Sequence, residues 1–301
     1  MGEKIDPILK IENCCRSANK FWRRLTIFEG IQVKLGGTIS SPRVLVNGVP
    51  QGAVLSPTLF NVAINDIIDN ITSPIRCGLF ADDFYVALPC SNVSLGEHLL
   101  QETLNKLLKW STENGFQFST NKTVGVHFCR RYRCNHSINV NLNNIPLLTE
   151  SSARYLGIVF DAKLNWNLHI DSLRQSCLKR LNLLKKLAHT SYGASRANLL
   201  YIYHMLILSK INYGAAAYSS ASPNTLNKLN TIHNLAIRLS TGAFRTSPIC
   251  SLLCEASQPS LQSHRDLLEA DAYIHTKSTP NLPLTLLHSC FLKVQTSSTT
   301  C

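Results

Sequence analysis

Short apolar stretches alternate with turn residues over the first half of the chain, a pattern typical of β-strands. Residues 31–35 and 43–47 flank a glycine pair and a Ser-Ser-Pro turn, and they predict one hairpin. Residues 75–80 and 84–88 predict a second hairpin, which carries two aspartates near its turn. Further strands are predicted, in chain order, at 124–128, 138–142, 145–148 and 155–160.

Helical spacing of apolar residues occurs twice in the first half and dominates after residue 161. Ser56-Pro57 fits an N-cap followed by the first helical residue, and residues 95–114 form a periodic run that ends at Asn114-Gly115. The later helices are predicted at about 166–187, 195–208, 223–240 and 260–276. The pattern therefore predicts an α+β fold, in which a helical region follows an antiparallel sheet with packed helices.

The balance of charge changes near the same boundary. The chain has 301 residues and a net charge of +12. Residues 1–150 contain 15 Lys and Arg against 12 Asp and Glu, whereas residues 151–301 contain 15 against 6. Such a surplus indicates a polyanionic partner, most often nucleic acid and less often a membrane surface. We expect units at 1–161 and 162–277, followed by a flexible Ser/Thr/Pro-rich tail at 278–301.

The cysteines and the first residues indicate the cellular compartment. There are 11 cysteines, an odd number, and Met1-Gly-Glu-Lys-Ile lacks an apolar signal sequence. We therefore expect reduced thiols in an intracellular protein of the nucleus or cytoplasm that is not secreted. The longest apolar stretch, near 199–208, is too short to span a bilayer, so no membrane partner is expected.

Asp82 and Asp83 are the first candidates for chemistry. A solvated aspartate pair is ordinary at a turn. The arms on either side of this pair are almost wholly apolar, so we expect them to be buried. Two carboxylates on a buried hairpin are costly unless a cation neutralises them. Hard oxygen ligands suit Mg²⁺, which makes it the natural candidate.

Five sequence blocks, in order along residues 31–270, carry a family resemblance. They are Gly-Val-Pro-Gln-Gly at 48–52, Phe-Ala-Asp-Asp at 80–83, Asn-Gly-Phe-Gln-Phe-Ser at 114–119, Tyr-Leu-Gly-Ile-Val-Phe-Asp at 155–161 and Thr-Gly-Ala-Phe-Arg at 241–245. Together they resemble the reverse transcriptases of non-LTR (LINE-type, jockey-like) retrotransposons. The third and fourth blocks favour this branch over group II intron-type or retroviral reverse transcriptases.

The resemblance implies a fold and a reaction. Residues 1–161 would be a partial palm and residues 162–277 a basic, helical thumb or connection, with the fingers and the first palm strand missing. The activity would be RNA-directed DNA polymerisation from an RNA template, a DNA primer and dNTPs. Two Mg²⁺ ions, or Mn²⁺ in their place, would activate the primer 3′-hydroxyl and stabilise the leaving pyrophosphate. The oligomeric state stays open.

The resemblance also implies roles for individual residues. Asp82 would ligate the metal ions and Asp83 would assist beside it. Gln51 and Gly52 would line the dNTP and template side. Phe80 stands near the nucleotide, at a position where the family most often has tyrosine. Lys122 would lie near the triphosphate, or it is an ordinary solvated loop lysine.

The long helix at about 166–187 is a candidate for gripping the primer–template backbone. Its polar side carries five basic residues, Arg174, Lys179, Arg180, Lys185 and Lys186. Lying on a membrane surface is the alternative, but the helix lacks the bulky aromatic face that favours insertion. Four tyrosines in later helices are expected to be core residues rather than base-stacking platforms: Tyr201, Tyr203, Tyr213 and Tyr218.

One catalytic aspartate of the family has no clear match. It should come from a strand well upstream of Gln51. Asp6 fits poorly, because Pro7 cannot continue a central strand, and Asp66 and Asp69 belong to the helix after the Gln-Gly motif. We therefore expect a fragment that cannot polymerise alone. The rival hypothesis is a catalytically inactive nucleic-acid-binding remnant.

Two weaker candidates lie elsewhere. Cys129, Cys134 and His136 are close in sequence, and Cys250 with Cys254 could complete a zinc site, although buried thiols are the default. The short basic loop of Arg130, Arg131 and Arg133 is either a solvated patch or a phosphate contact.

Overall fold

The computed structural model describes residues 6–14, 32–43, 49, 52–131, 136–189 and 191–278, with the backbone alone for 6–14 and 276–277. Gln51, Arg133, Cys134 and the tail predicted after residue 278 lie outside these ranges. The chain divides into two compact units, Met1–Leu156 and Gly157–Cys301.

The centre of the first unit is a six-stranded sheet. Its strands are β1 (Asp6–Cys14), β4 (Arg76–Phe80), β5 (Asp83–Ala87), β6 (Gln117–Phe118), β7 (Val124–Phe128) and β10 (Leu148–Thr149). The order is β10-β7-β1-β5-β4, and β6 pairs with one end of β1. All pairs are antiparallel except that of β10 with β7.

Strand β1 corrects an argument made from sequence. Pro7 was expected to prevent a central strand, yet β1 lies between β5 and β7. The reason is the position of the proline. Pro7 is opposite His127 of β7, whereas pairing with β5 begins only at Ile8. The missing N–H therefore falls before the second ladder starts, where a strand tolerates proline.

Two helices cover one face of this sheet. The first, α1, spans Ser56–Asn65 and continues into a 3₁₀ turn at Asp66–Asn70; Leu55 is the N-cap, so Ser56 is the first helical residue and not the predicted cap. The second, α2, spans Val93–Asn114 and ends at Gly115 in the left-handed conformation, as predicted. Their apolar side chains form a core with Phe84 and Val86 of β5 and with Leu88 directly after this strand.

The remaining strands of the first unit are short. They are β2 (Lys34–Leu35), β3 (Thr38–Ile39), β8 (Asn141–Leu142), β9 (Ile145–Pro146) and β11 (Ser152–Tyr155). The partner of β2 is β3, which begins directly after the Gly36-Gly37 turn, because Gly36 adopts φ 60° and permits a two-residue turn. Residues 44–47 of the arm predicted at 43–47 lie outside the described residues.

The single strand predicted at 155–160 is wrong. The chain turns at Leu156 (φ 45°) and Gly157 (φ 80°), so that β11 ends at Tyr155 and β12 spans Ile158–Asp161. Two consecutive left-handed residues cannot continue an extended strand.

The second unit is helical after β12. Its helices are α3 (Asn167–Leu187), α4 (Arg196–Tyr203), a π-helical segment (His204–Leu208), α5 (Ser209–Asn212), α6 (Ala215–Tyr218), α7 (Pro223–Thr241), α8 (Ile249–Glu255) and α9 (Leu261–Ser278). Helix α3 packs against α7, and its buried residues recur at helical spacing, as at Leu173, Cys177, Leu181 and Leu184. Within the described residues, every helix is too short or too polar to cross a bilayer.

Candidate active site at the carboxylate hairpin

The β4–β5 hairpin reverses in two residues, Ala81 and Asp82. Phe80 pairs with Asp83 across the turn, and Ala81 adopts φ 51°. This left-handed conformation is unfavourable for a residue with a Cβ, but it matches the twist of a tight hairpin. The turn therefore places Asp82 at the apex and Asp83 at the first position of β5, as the sequence predicted.

The exposure of the two carboxylates differs from the expectation. The strand behind them is buried from Phe84 to Leu88, but Asp82 is exposed and Asp83 is half-buried. The argument that burial forces a cation onto this pair is therefore wrong for Asp82, which water can solvate. What the fold provides is a rigid, buried strand that presents carboxylates at its end.

The alternation of β5 assigns Asp83 to one face of the sheet. Because Phe84 and Val86 point into the core beneath the helices, Asp83 and Tyr85 lie on the opposite face. The Tyr85 ring crosses Gly78 of β4, since a Cβ built there would stand 2.2 Å from Tyr85 Cε1.

Tyr155 is a neighbour of the carboxylates that the sequence analysis missed. Its ring meets that of Tyr85 edge to face, with centroids 5.1 Å apart. Burial raises the pKa of Tyr155, and the negative charge of Asp83 raises it further. Tyr155 is therefore a neutral phenol beside Asp83. The hairpin register predicts that Gly78 makes room for Tyr85, but nothing local indicates that Tyr155 joins them.

The described side chains supply two carboxylates at this site. No group of three or more His, Cys, Asp or Glu side chains capable of holding a metal occurs among them. In the backbone register Glu12 of β1 stands opposite Asp83, whereas Asp6 stands opposite Phe128. Asp6 is thus six residues, or about 20 Å, along the strand from the hairpin tip. The poor match of Asp6 to the metal site therefore stays a prediction.

The other predicted nucleotide-binding residues are only partly described. Gln51 lies outside the described residues. Gly52 adopts φ 91°, a backbone conformation that residues other than glycine rarely adopt. Phe80 is 62% exposed beside the carboxylates. Lys122 is exposed in the loop between β6 and β7, where its backbone N–H donates to the Ser119 carbonyl.

The basic side of α3 largely faces solvent. Arg174, Lys179, Lys185 and Lys186 are exposed. Arg180 is half-buried and donates to the Ser176 carbonyl and hydroxyl, so its guanidinium is partly occupied within the helix.

Few acids offset this charge in the second unit. Residues 163–245 contain 11 Lys and Arg against one acidic residue, Asp171, whose carboxylate forms a 2.7 Å ion pair with Lys228. Arg196 pairs with Glu255 from outside this segment, so most of the other basic residues lack an acidic residue within the segment to offset them. The excess positive charge is therefore available to an external polyanion.

The weaker candidates gain little from the structure. Cys129 is buried, whereas Cys250 and Cys254 are exposed on α8, and the described Cys and His side chains form no cluster that could hold zinc. Arg130 and Arg131 are exposed, as are Asp66 and Asp69 in their 3₁₀ turn. Of the four tyrosines expected in the core, Tyr203 and Tyr218 are buried, but Tyr201 and Tyr213 are more than half exposed.

Comparison with known proteins decides the family. The reverse transcriptase (RNA-dependent DNA polymerase) family model matches residues 9–160, slightly more than half of the chain. The chain belongs to the reverse transcriptase family. The match begins within β1 and ends within β12, so it includes the carboxylate hairpin.

Curated relatives specify the branch. The RNA-directed DNA polymerase from mobile element jockey of Drosophila melanogaster is 26% identical over 217 residues, which are 70% of this chain and 24% of that protein. The probable RNA-directed DNA polymerases from transposons BS and X-element of the same species are 26% and 23% identical, over 69% and 80% of this chain. The predicted resemblance to non-LTR retrotransposons is confirmed. The chain spans about a quarter of the length of these relatives.

Proposed function

We propose that this chain is the part of an RNA-directed DNA polymerase from a non-LTR retrotransposon that binds the catalytic metal ions and the primer–template duplex. One observation carries the proposal: the turn of a buried hairpin presents Asp82 and Asp83, in a chain of the reverse transcriptase family. The substrates would be an RNA template, a DNA primer and dNTPs.

Asp82 and Asp83 would hold the metal ions. Carboxylate oxygens at the end of a rigid strand suit Mg²⁺, and Mn²⁺ as a substitute. Bound Mg²⁺ would lower the pKa of the primer 3′-hydroxyl and stabilise the leaving pyrophosphate. Asp82, at the exposed apex, would ligate directly, and Asp83 would complete the pair. Tyr155, which stays protonated, would limit the approach of water to Asp83 from the sheet face.

The residues around the hairpin would orient the nucleotide. Phe80 offers an exposed ring beside the carboxylates. Gly52 would let the backbone approach a base pair closely, with Gln51 on the same side. Lys122 would neutralise charge on the triphosphate.

Two predicted regions of the chain would divide the work of the enzyme. Residues 1–161 would form the palm and residues 162–277 the thumb or connection. The exposed lysines and arginine of α3 would contact the phosphate backbone of the primer–template, which makes binding independent of sequence and steeply dependent on salt. Arg180, which is held by Ser176, would contribute less.

Primer extension tests whether this chain suffices for polymerisation. Because the described side chains supply only two carboxylates, we expect the purified chain with Mg²⁺ to incorporate no more dNTP than its Asp82→Asn variant. If the chain incorporates dNTP robustly and Asp82→Asn abolishes this incorporation, the chain suffices for polymerisation and our expectation is refuted. Incorporation that is equally robust in both proteins would instead remove Asp82 from the mechanism.

A further inference from the structure

The loop after α3 carries an exposed pair of stacked aromatic rings. The imidazole of His189 and the ring of Tyr192 have centroids 4.0 Å apart and planes 13° from parallel. Tyr192 is 75% exposed, and the predicted functional residues do not include either side chain. An aromatic ring with this much surface in water is a candidate binding surface, because its burial against a partner is favourable.

The fold holds this pair in place. The Ala194 N–H donates to the Leu187 carbonyl at 2.9 Å and closes the loop onto the end of α3. The Ser191 N–H donates to His189 Nδ1, which the Ser191 hydroxyl also approaches at 3.0 Å. A Cβ at Gly193 would stand 2.0 Å from the His189 carbonyl oxygen, so the loop packs tightly there. Rings fixed before binding lose little entropy when a ligand arrives.

Positive charge lies next to the pair. Lys185 and Lys186 are exposed in the last turn of α3, and the surrounding segment has the excess of basic residues described above. An aromatic ring beside cations is the combination by which proteins bind single-stranded nucleic acid, where bases stack and phosphates pair with lysine.

We propose that the His189–Tyr192 stack binds an unpaired base of single-stranded nucleic acid. The Tyr192 face that His189 does not cover stacks on the base, while Lys185 and Lys186 contact the neighbouring phosphates. A base within a duplex already has neighbours on both faces, so the site selects an unpaired segment. The inference rests on the proposed function in one respect, that the strand is template or primer.

Binding of the full chain to three labelled probes tests this site by fluorescence anisotropy. The probes are a short single strand, the same strand annealed to its complement, and an abasic strand of equal length. Tyr192→Ala should weaken single-strand binding about tenfold, within the range that one stacked base contributes, and leave duplex binding unchanged. Tyr192→Phe keeps the ring and should retain binding. Tyr201→Ala, which removes another exposed tyrosine of the same unit, is the matched control.

A fluorescent base reports the stacking itself. Fluorescence of 2-aminopurine in the single strand should be quenched by the protein and by Tyr192→Phe, but not by Tyr192→Ala. Equal single-strand binding by the protein and Tyr192→Ala would overturn the proposal. An equal loss on the abasic strand would also overturn it, because no base is there to stack. Binding to anionic lipid vesicles is measured alongside the three probes. If Tyr192→Ala loses binding to the vesicles but not to the single strand, the result would overturn the proposal and indicate a membrane surface instead.

A lysine variant separates this site from the proposed function. The single substitution Lys179→Ala, at an exposed residue of α3 outside the stacking site, should weaken binding of all three probes and reduce the salt dependence, because it removes a phosphate contact. If Tyr192→Ala has no effect while the lysine variant does, only the stacking site fails. If the unmodified protein binds no probe, both proposals are refuted: the contact between α3 and the phosphate backbone, and the stacking site.

Discussion

On β4, Gly78 lies opposite Tyr85, whose ring occupies the space that a side chain at residue 78 would fill. The same ring meets Tyr155 on the sheet face that Asp83 shares. The absence of a side chain at Gly78 therefore fixes the surroundings of the carboxylate. This role differs from the turn role usual for glycine, because the backbone at Gly78 is ordinary extended strand.

Gly78→Ala should lower the free energy of unfolding by about 1–3 kcal/mol, the usual cost of overpacking a core. Urea denaturation measures the change. Gly37→Ala is the matched control, because a Cβ there meets nothing within 4 Å, and its effect should stay within about 0.5 kcal/mol. In a protein that already carries Tyr85→Ala, Gly78→Ala should lower the free energy of unfolding by much less, because the ring that a Cβ would meet is absent. A Gly78→Ala protein as stable as the unmodified one would contradict the close approach.

Sequence predicts the residues of the hairpin better than their surroundings. Asp82 and Asp83 stand out because the turn and both apolar arms are contiguous in the chain. Tyr155 lies more than seventy positions beyond Asp83, and only the completed fold brings the two together. The exposure of Asp82 was also missed, since an apolar flank indicates a buried strand but says little about a turn beyond its end.

At the scale of elements, α4 and α7 share a buried polar contact. The Tyr203 hydroxyl lies 2.5 Å from His233 Nδ1, and both residues are at most 2% exposed. Burial lowers the pKa of His233 to about 4, assisted by the positive charges of His264, Arg265 and His204; a hydrogen bond to the Pro259 backbone partly opposes this. The folded unit therefore requires a neutral imidazole between its helices.

This requirement predicts a dependence of stability on pH. The unfolded imidazole takes up a proton near pH 6.5 and the folded one only near pH 4, so the unfolded state binds more protons between these values. The stability is present above pH 6.5 and is lost as the pH falls toward 4. Between pH 7 and 5 the loss should be about 2 kcal/mol, since each pH unit corresponds to about 1.4 kcal/mol.

Thermal or urea unfolding across pH 5–7 measures this loss. His233→Gln should flatten the profile, apart from the smaller contribution of His264, whose pKa burial also lowers. If the stability of His233→Gln depends on pH as steeply as that of the unmodified protein, another group causes the dependence.

The elements that sequence predicts well are long and regular. Helices α2, α3, α7 and α9 lie close to their predicted positions, because apolar residues recur at helical spacing over many turns. The errors fall where one residue decides the outcome. Leu156 adopts a left-handed conformation without any glycine-like signal of its own, and Pro7 is tolerated in β1 because of where the second ladder begins.

At the scale of the whole molecule, the carboxylate hairpin and the excess of basic residues occupy different parts of the chain. The carboxylate hairpin belongs to the first unit, within the segment that the family model matches. The excess positive charge belongs to residues 163–245, wholly beyond that segment. Charge counting predicts this uneven distribution directly, and the division of function that it suggests stays a prediction. It could not predict the His189–Tyr192 stack, because the tight packing of Gly193 that orders the loop has no signature in composition.

The central claim is that the hairpin binds catalytic metal ions, and Mn²⁺ titration followed by electron paramagnetic resonance tests it most directly. The full chain, with a primer–template present, should bind Mn²⁺ at least about tenfold more tightly than Asp82→Asn, because even outer-shell changes commonly cost that much. Asp66→Asn, an exposed aspartate of the same unit, should bind as the unmodified chain does. Equal Mn²⁺ binding by Asp82→Asn and the unmodified chain would contradict the account and favour a nucleic-acid-binding remnant.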